Sequence, residues 1–228
     1  MRFDILSLFP GYFKGPFDES IIGQALKKET IAINLIDIRD FAHNRHRKAD
    51  DRPYGGGPGM VLMPEPVAGA IGSVKTEKAR VIHLSPQGSP LTAKKCRELA
   101  QYEHLILLCG HYEGIDQRIL DEEVDEEISI GDYVLTNGCL AAIILVDSII
   151  RFVPGVLGHE SAASEDSFEK GILDCPHYTR PEVYEGKRVP EILLSGDHKK
   201  IAEWRLRAAL EKTRVVRPDL YEKFKEKN

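Results

Sequence analysis

Leu105 to Asp116 reads LILLCGHYEGID: an unbroken apolar run that opens directly into a glycine-bearing loop. Short apolar runs bounded by Gly or Pro read as buried strands of a mostly parallel sheet. Two other stretches repeat the arrangement. VIHL (Val81 to Leu84) leads into SPQGSP, and EISI (Glu127 to Ile130) leads into GDYVLTNG. In open parallel sheets ligands sit at the carboxyl ends of the strands. An ordinary tight turn accounts for any one of these loops. Three in series predict one pocket lined by backbone, where glycine lets the main chain approach a flat, nucleotide-like ligand and offer N–H and C=O groups to its edges.

Working outward, strand and helix signals alternate. RFDILSLF (Arg2 to Phe9) and INLIDI (Ile33 to Ile38) read as strands. Helical spacing appears over Ser20 to Lys28, with Ile21, Ile22, Ala25 and Leu26 on one face. Further helices are predicted over Pro64 to Ile71, Thr92 to Gln101 with Thr92 as N-cap, near Asp116 to Glu123, and over the apolar Cys139 to Ile150. Arg39 to Gly59 is polar and Gly-rich and reads as a long loop, which inside a compact domain is usually functional or disordered. The alternation predicts an α/β fold with a mostly parallel sheet over residues 1–158. Residues 159–181 are polar, small and Pro-containing, and read as an interdomain linker. Residues 182–228 read as a small, mainly helical domain. Its helices are expected near His198 to Leu210 and Pro218 to Lys225, with Ile201, Trp204, Ala208 and Leu210 as the apolar face.

The chain has 228 residues, 42% of them hydrophobic, enough for one sizeable domain and a smaller one. No run approaches the ~18 apolar residues of a membrane span. Asp4 and Pro10 interrupt the N-terminal apolar stretch, and no small-residue cleavage site follows, so a signal peptide is not expected. Cys96, Cys109, Cys139 and Cys175 form no C-x-x-C pair and show no metal-ligand spacing, so neither a disulfide framework nor a zinc site is expected. Reduced thiols and a cytoplasmic location follow as the default. The net charge of -5 argues weakly against nucleic acid, but its distribution argues otherwise. DEEVDEE (Asp121 to Glu127) reads as the solvated end of a helix and the turn after it. Five Lys/Arg against three Asp lie between Arg39 and Arg52, and ten Lys/Arg against six Asp/Glu between Asp197 and Asn228. Two basic regions on an acidic body suit a polyanion gripped at chosen places.

No G-x-G-x-x-G follows the first strand, and G-x-x-x-x-G-K-[ST] and G-x-S-x-G are absent, which removes the dinucleotide, P-loop and hydrolase readings. DDRPYGGGPGM (Asp50 to Met60) is compatible with neither a helix nor a central strand. A surface loop and a ligand-reading loop both remain open for it. SEDSF (Ser164 to Phe168) places Glu165 and Asp166 in the polar linker, and Arg151 ends the preceding apolar helix. A carboxylate near a cation is a fit device for taking a proton, and an exposed acidic linker is the alternative. Asp174 to His198 carries three prolines after Asp174 and reads as stiff and extended.

Taken in order, SLFP, RDFAHNRHRKADDRPYGGGPGM, LSPQG, CGHYEGIDQR, DEEISIGDYVLTNG, DSIIRFVPGVLGHESA, EDSF, DCPHYTRP and LLSGDH span nearly the whole chain. Together they resemble the bacterial tRNA (guanine-N1)-methyltransferases, the TrmD family of the SPOUT superfamily. The resemblance implies methylation of N1 of guanosine-37, immediately 3′ of the anticodon, with S-adenosylmethionine as donor. It also implies a C-terminal trefoil knot in the α/β domain, which no general rule of topology predicts. The cofactor contacts it implies are Leu84, Ser85, Pro86, Gly110, Tyr112, Glu113, Gly114, Ile130, Gly131, Tyr133, Leu135 and Gly138. Asp166 takes the place of the general base and Arg151 that of the cation facing O6. The chemistry agrees. Guanine N1 is a poor nucleophile until its proton leaves, and the charge that then builds on O6 calls for a fixed guanidinium.

Asp50, Arg52, Gly57, Pro58, Gly59 and Met60 match the loop that reads the neighbouring anticodon guanosine, and Asp174 a position near the target base. No dedicated metal cage is visible, and Glu113 is the one residue expected to help hold Mg²⁺. The implied partners are the tRNA anticodon arm, bound by the basic C-terminal domain, and a second copy of the chain in a homodimer with shared active sites. Three positions depart from the family pattern. Asn137 stands for a Gly and still tolerates a positive φ, Cys139 stands for an acid, and His111 for a frequent Arg. Another SPOUT activity, such as ribose 2′-O-methylation, and a non-catalytic RNA-binding protein are the competing readings. The intact DDRPYGGGPGM and EDSF strings count against the first, and the retained Asp166 and Arg151 against the second.

Overall fold

A computed structural model describes residues 1–158 and 162–227. The chain forms two compact units, Met1–Gly158 and His159–Asn228. The first residues of the expected linker, 159–161, lie outside the described residues.

The first unit is built on a five-stranded, wholly parallel sheet in the order β2-β1-β6-β5-β7. Its strands are β1 (Arg2–Ser7), β2 (Ala32–Asp37), β5 (Ala79–Pro90), β6 (His104–Cys109) and β7 (Glu126–Ser129), with a small antiparallel pair, β3 (Asp50–Asp51) and β4 (Val61–Leu62), outside it. Helices α1 (Ser20–Lys27), α2 (Pro64–Val74), α3 (Ala93–Leu99), α4 (Gln117–Glu123) and α5 (Cys139–Ile150) cover the faces.

The central strand β6 is buried at every residue, as a continuous apolar run requires. Its alternate side chains enter two separate cores. Leu105, Leu107 and Cys109 join Phe3, Ile5, Ile82 and the inner face of α5, whereas Ile106 and Leu108 join Leu6, Val81, Ile71 of α2 and Ile119 of α4. Among the described residues one buried acid lies within this packing. Asp4 is fully buried and receives Arg2 Nη2 at 2.7 Å, Asn34 Nδ2 at 2.6 Å and His104 Nε2 at 2.8 Å. Three partners satisfy a carboxylate that burial would otherwise penalise by several kcal/mol.

Three sequence expectations change here. SPQGSP is not a simple turn. Residues 85–88 bulge out of β5, and Ile128 is in register with both Leu84 before the bulge and Ser89 after it. The bulge rests on a close approach: a Cβ on Gly88 would lie 2.4 Å from the Ile128 amide nitrogen. Arg39 to Gly59 is not one long loop either, because Ile38–Phe41 forms a short 3-10 turn and Asp50–Asp51 pairs with Val61–Leu62. Nor is DEEVDEE simply solvated. Asp125 accepts from the Val81 amide (2.7 Å), Glu126 pairs with Lys95 (2.8 Å), and Glu127 bonds His83 Nδ1 (2.9 Å). Acids placed at the start of an edge strand found partners in the adjacent strand and helix.

From the end of β7 at the sheet edge, the chain crosses to β6. The Gly138 amide donates to the Gly110 carbonyl (2.8 Å), and His111 bridges Asn137. It then enters α5, which packs against β1, β6 and α3.

The second unit contains α6 (Ala162–Glu165), the hairpin β8 (Val183–Tyr184) and β9 (Lys187–Arg188), α7 (Glu191–Leu194), α8 (His198–Val216) and α9 (Pro218–Lys227). Asp197 caps α8 by accepting from the Lys200 amide. The buried face of α8 is formed by Ala209 and Thr213, with Ala208, Leu210 and Phe224 packed around Ile172 and Cys175. Trp204 and Ile201, expected to lead that face, are only half-buried. Small residues carry the close contact, and large-residue periodicity does not reveal them.

Candidate active site

The carboxyl ends of β5, β6 and β7 open onto a cavity of about 250 Å³. Its walls come from the β5 bulge (Leu84, Ser85, Pro86, Gln87), the β6 loop (Gly110 to Gly114) and the β7 loop (Ile128 to Gly138, Asp132 excepted). Every residue expected from sequence to contact the cofactor lies on this wall. His83, Thr136, Asn137 and Ala141 line it too, though they were not among the expected cofactor contacts.

Glycines permit the approach for different reasons. At Gly138 the backbone angle is ordinary, but a Cβ would lie 2.9 Å from Cys109 Cα and 3.0 Å from the Gly110 amide nitrogen. At Gly131 φ is +152° and the Tyr133 ring covers the position at 2.5 Å. Gly138 therefore lets the β7 loop lie against β6 by main chain alone.

The departures from the family pattern have visible roles. Asn137 is not among the described residues with positive φ. Its Oδ1 instead accepts from the Cys139 amide (2.8 Å), satisfying a donor at the start of α5. Asn thus serves here through its side chain, not its backbone tolerance. Cys139 is buried, its sulfur 3.1 Å from Ser7 Oγ. The His111 ring packs edge-on against Phe9 (5.1 Å) and Tyr112 (4.2 Å), and Arg39 lies over Phe9. Burial, with Arg39 nearby, holds the His111 pKa below its usual value, while Asp50 pulls the other way. Burial likewise lowers the His83 pKa against the opposing hydrogen bond and charge of Glu127.

The glycine-rich string docks beside this wall. The Glu113 amide donates to the Met60 carbonyl (3.0 Å), Leu62 to Gly114 (3.0 Å) and Asp116 to Leu62 (3.0 Å). Gly59 lies against the Glu113 side chain. Arg52, Gly57, Pro58 and Gly59 are exposed, and Asp50 and Met60 half-buried. The structure thus brings Gly59 and Met60 to the cavity wall through Glu113, with Asp50 within electrostatic reach of His111.

Arg151 is the C-cap residue of α5 in the first unit. Asp166 follows α6 in the second unit and is exposed. Asp174, also in the second unit, accepts from the Cys175 amide (2.6 Å) and from His177 Nε2 (2.7 Å). Burial raises its pKa, but these hydrogen bonds outweigh it and hold the carboxyl below its usual range.

A parallel α/β sheet with a backbone-lined cavity at three neighbouring strand ends, one loop of which returns to β6, is consistent with one class: the α/β methyltransferases of the SPOUT type. Comparison with known proteins narrows it. Residues 1–223 match the family model described as tRNA (Guanine-1)-methyltransferase TrmD. A tRNA (guanine-N(1)-)-methyltransferase of Protochlamydia amoebophila (strain UWE25) is 70% identical over 96% of this chain and 99% of its own. That of Chlamydia muridarum (strain MoPn / Nigg) is 60% identical over 97% of this chain, which spans 62% of that relative's length. The Chlamydia trachomatis serovar D enzyme is 58% identical over the same shares. The chain belongs to the TrmD family of S-adenosylmethionine-dependent tRNA (guanine-N1)-methyltransferases. No described helix is long and apolar enough to cross a membrane.

Proposed function

We propose that this chain transfers the methyl of S-adenosylmethionine to N1 of guanosine-37 in the tRNA anticodon arm. The observation that carries the reading is the docking of Gly59 and Met60 onto Glu113: the loop expected to read the anticodon guanosine shares its hydrogen bonds with the wall expected to hold the cofactor.

The cavity suits S-adenosylmethionine because its walls offer main-chain groups and an aromatic ring, without the basic cradle that phosphates need. The cofactor supplies a methyl group already activated on a sulfonium. The protein's part is then positioning and proton removal. Asp166 takes the N1 proton, and the Arg151 guanidinium stabilises the charge growing on O6. Asp50, Arg52, Gly57, Pro58, Gly59 and Met60 read the neighbouring guanosine, and Asp174 stands near the target base. Glu113 is a single carboxylate among the lining groups, which fits Mg²⁺ held mostly by water and substrate. The basic C-terminal stretch, residues 197–228, grips the tRNA backbone. The protein acts in the cytoplasm as a homodimer, in which the 159–228 segment of one subunit completes the site of the other.

The test is mass spectrometry of a tRNA transcript carrying guanosine 3′ of its anticodon, incubated with protein and S-adenosylmethionine. One methyl on guanine N1 at that position is expected. A methyl on ribose, or at another base, would overturn the reading.

A further inference from the structure

Asp174 to His177 (DCPH) places three different metal-ligating side chains within four residues. One ligand atom from each of Asp174, Cys175 and His177 lies within 4.8 Å of the other two. His177 Nε2 and Asp174 Oδ2 are already 2.7 Å apart.

The backbone that carries them is well held. Pro176 restricts the chain between the thiol and the imidazole. The Asp174 amide donates to Ser167 Oγ (2.9 Å), and the Leu173 amide donates to Oγ1 of the fully buried Thr213 (2.9 Å). Cys175 is 6% exposed and packs with Ile172 and Ala209, whereas the His177 side chain is 73% exposed. The cluster therefore has a dry side that holds the sulfur and a wet side from which an ion can enter.

We propose that Asp174, Cys175 and His177 bind one thiophilic divalent cation of the zinc type, with water in the fourth position. A thiolate, an imidazole and a carboxylate form a mixed set that suits tetrahedral Zn²⁺ and not Mg²⁺, which demands oxygen ligands. In such a site the ligand atoms stand roughly 3.3–3.7 Å apart, as bond lengths of about 2.0–2.3 Å dictate. The exposed His177 is the side chain free to make that adjustment. On binding, the Cys175 thiol loses its proton to solvent as the metal–sulfur bond forms. Bonds from an Asp174 oxygen and His177 Nε2 to the metal replace their mutual hydrogen bond, the Nε2 proton being lost to solvent and Nδ1 taking one up, and the metal keeps its oxidation state. C-x-x-C scanning misses the cluster because its Cys and His are separated by one residue. The site stands whether or not Asp174 also faces the target base.

The test is titration of the full-length protein with Co²⁺, followed by absorption. A thiolate-to-cobalt charge-transfer band saturating at one equivalent is expected, bleached by equimolar Zn²⁺ and unaffected by excess Mg²⁺. Cys175→Ser should abolish the band, His177→Ala should weaken binding by about tenfold or more, and Cys139→Ser should leave both unchanged. Circular dichroism of each variant establishes that it is folded. No band at one equivalent, a band that survives Cys175→Ser, or wild-type binding by His177→Ala would each overturn the proposal.

Discussion

Gly59 sits against the carboxylate of Glu113, so close that a Cβ at Gly59 would lie 2.4 Å from Glu113 Oε1. Its φ of +82° adds a second reason for glycine, since L side chains rarely adopt that backbone. The two residues join the glycine-rich string to the cavity wall. Gly59→Ala is expected to displace the string and lower kcat/KM for tRNA by about tenfold or more, a loss of ~1.4 kcal/mol in transition-state stabilisation. Adding Glu113→Ala should not restore it fully, because the backbone strain remains. Steady-state kinetics of both variants decide; wild-type kinetics for Gly59→Ala would refute the link.

Gly138 makes its approach to backbone, which has no way to yield. Gly138→Ala forces Cys109 and Gly110 away and opens the junction of the β6 and β7 loops. S-adenosylmethionine affinity should fall by about tenfold, ~1.4 kcal/mol. Isothermal titration calorimetry measures it, and unchanged affinity would show that this junction does not shape the cofactor site.

Asp166→Ala is expected to abolish methyl transfer while cofactor binding survives. Arg151→Lys should also lose most of its turnover, because an ammonium does not reproduce the planar guanidinium. Single-turnover assays alongside calorimetry separate chemistry from binding. Retained turnover in Asp166→Ala would remove that residue as the base.

His83 gives the fold a pH dependence. Burial lowers its pKa in the folded state below the unfolded value of 6.5. The unfolded chain therefore takes up the proton first, so the stability contributed by neutral His83 is present above about pH 6.5 and is lost as pH falls below it. Thermal unfolding between about pH 5 and 8 should show a steeper acid-side loss in the wild type than in His83→Gln. Identical slopes would remove His83 as the cause.

Asp4 is the buried acid that three side chains from two neighbouring strands and its own strand address. Asp4→Ala leaves the buried His104 and the exposed Asn34 without their shared acceptor and should cost about 3 kcal/mol. Urea unfolding at constant m-value tests this, and a loss below about 1 kcal/mol would mean that the network relaxes.

Helix α5 was legible to the residue, because twelve consecutive mostly apolar positions after Gly138 leave no other state. The β6 strand was equally plain, and so was the helix start at Thr92, where a side-chain oxygen meets an exposed amide. The β5 bulge was not legible. Its Gly and Pro residues read locally as a turn, and only the pairing of Ile128 with both Leu84 and Ser89 shows that the strand resumes. Glu126 and Glu127 looked solvated for the same reason: Lys95, Arg80 and His83 come from distant positions in the chain.

The sequence by itself determined the parallel α/β class, the three strand-end loops and the family to which their order belongs. Those depend on local periodicity and on strings long enough to be specific. Only the tertiary structure decided that Gly59 touches Glu113, that Asn137 caps α5 through its side chain, and that Asp174, Cys175 and His177 converge. Such contacts depend on distances between side chains and backbone of separate segments, or on the path of a stiff one, and residue spacing alone carries no information about them.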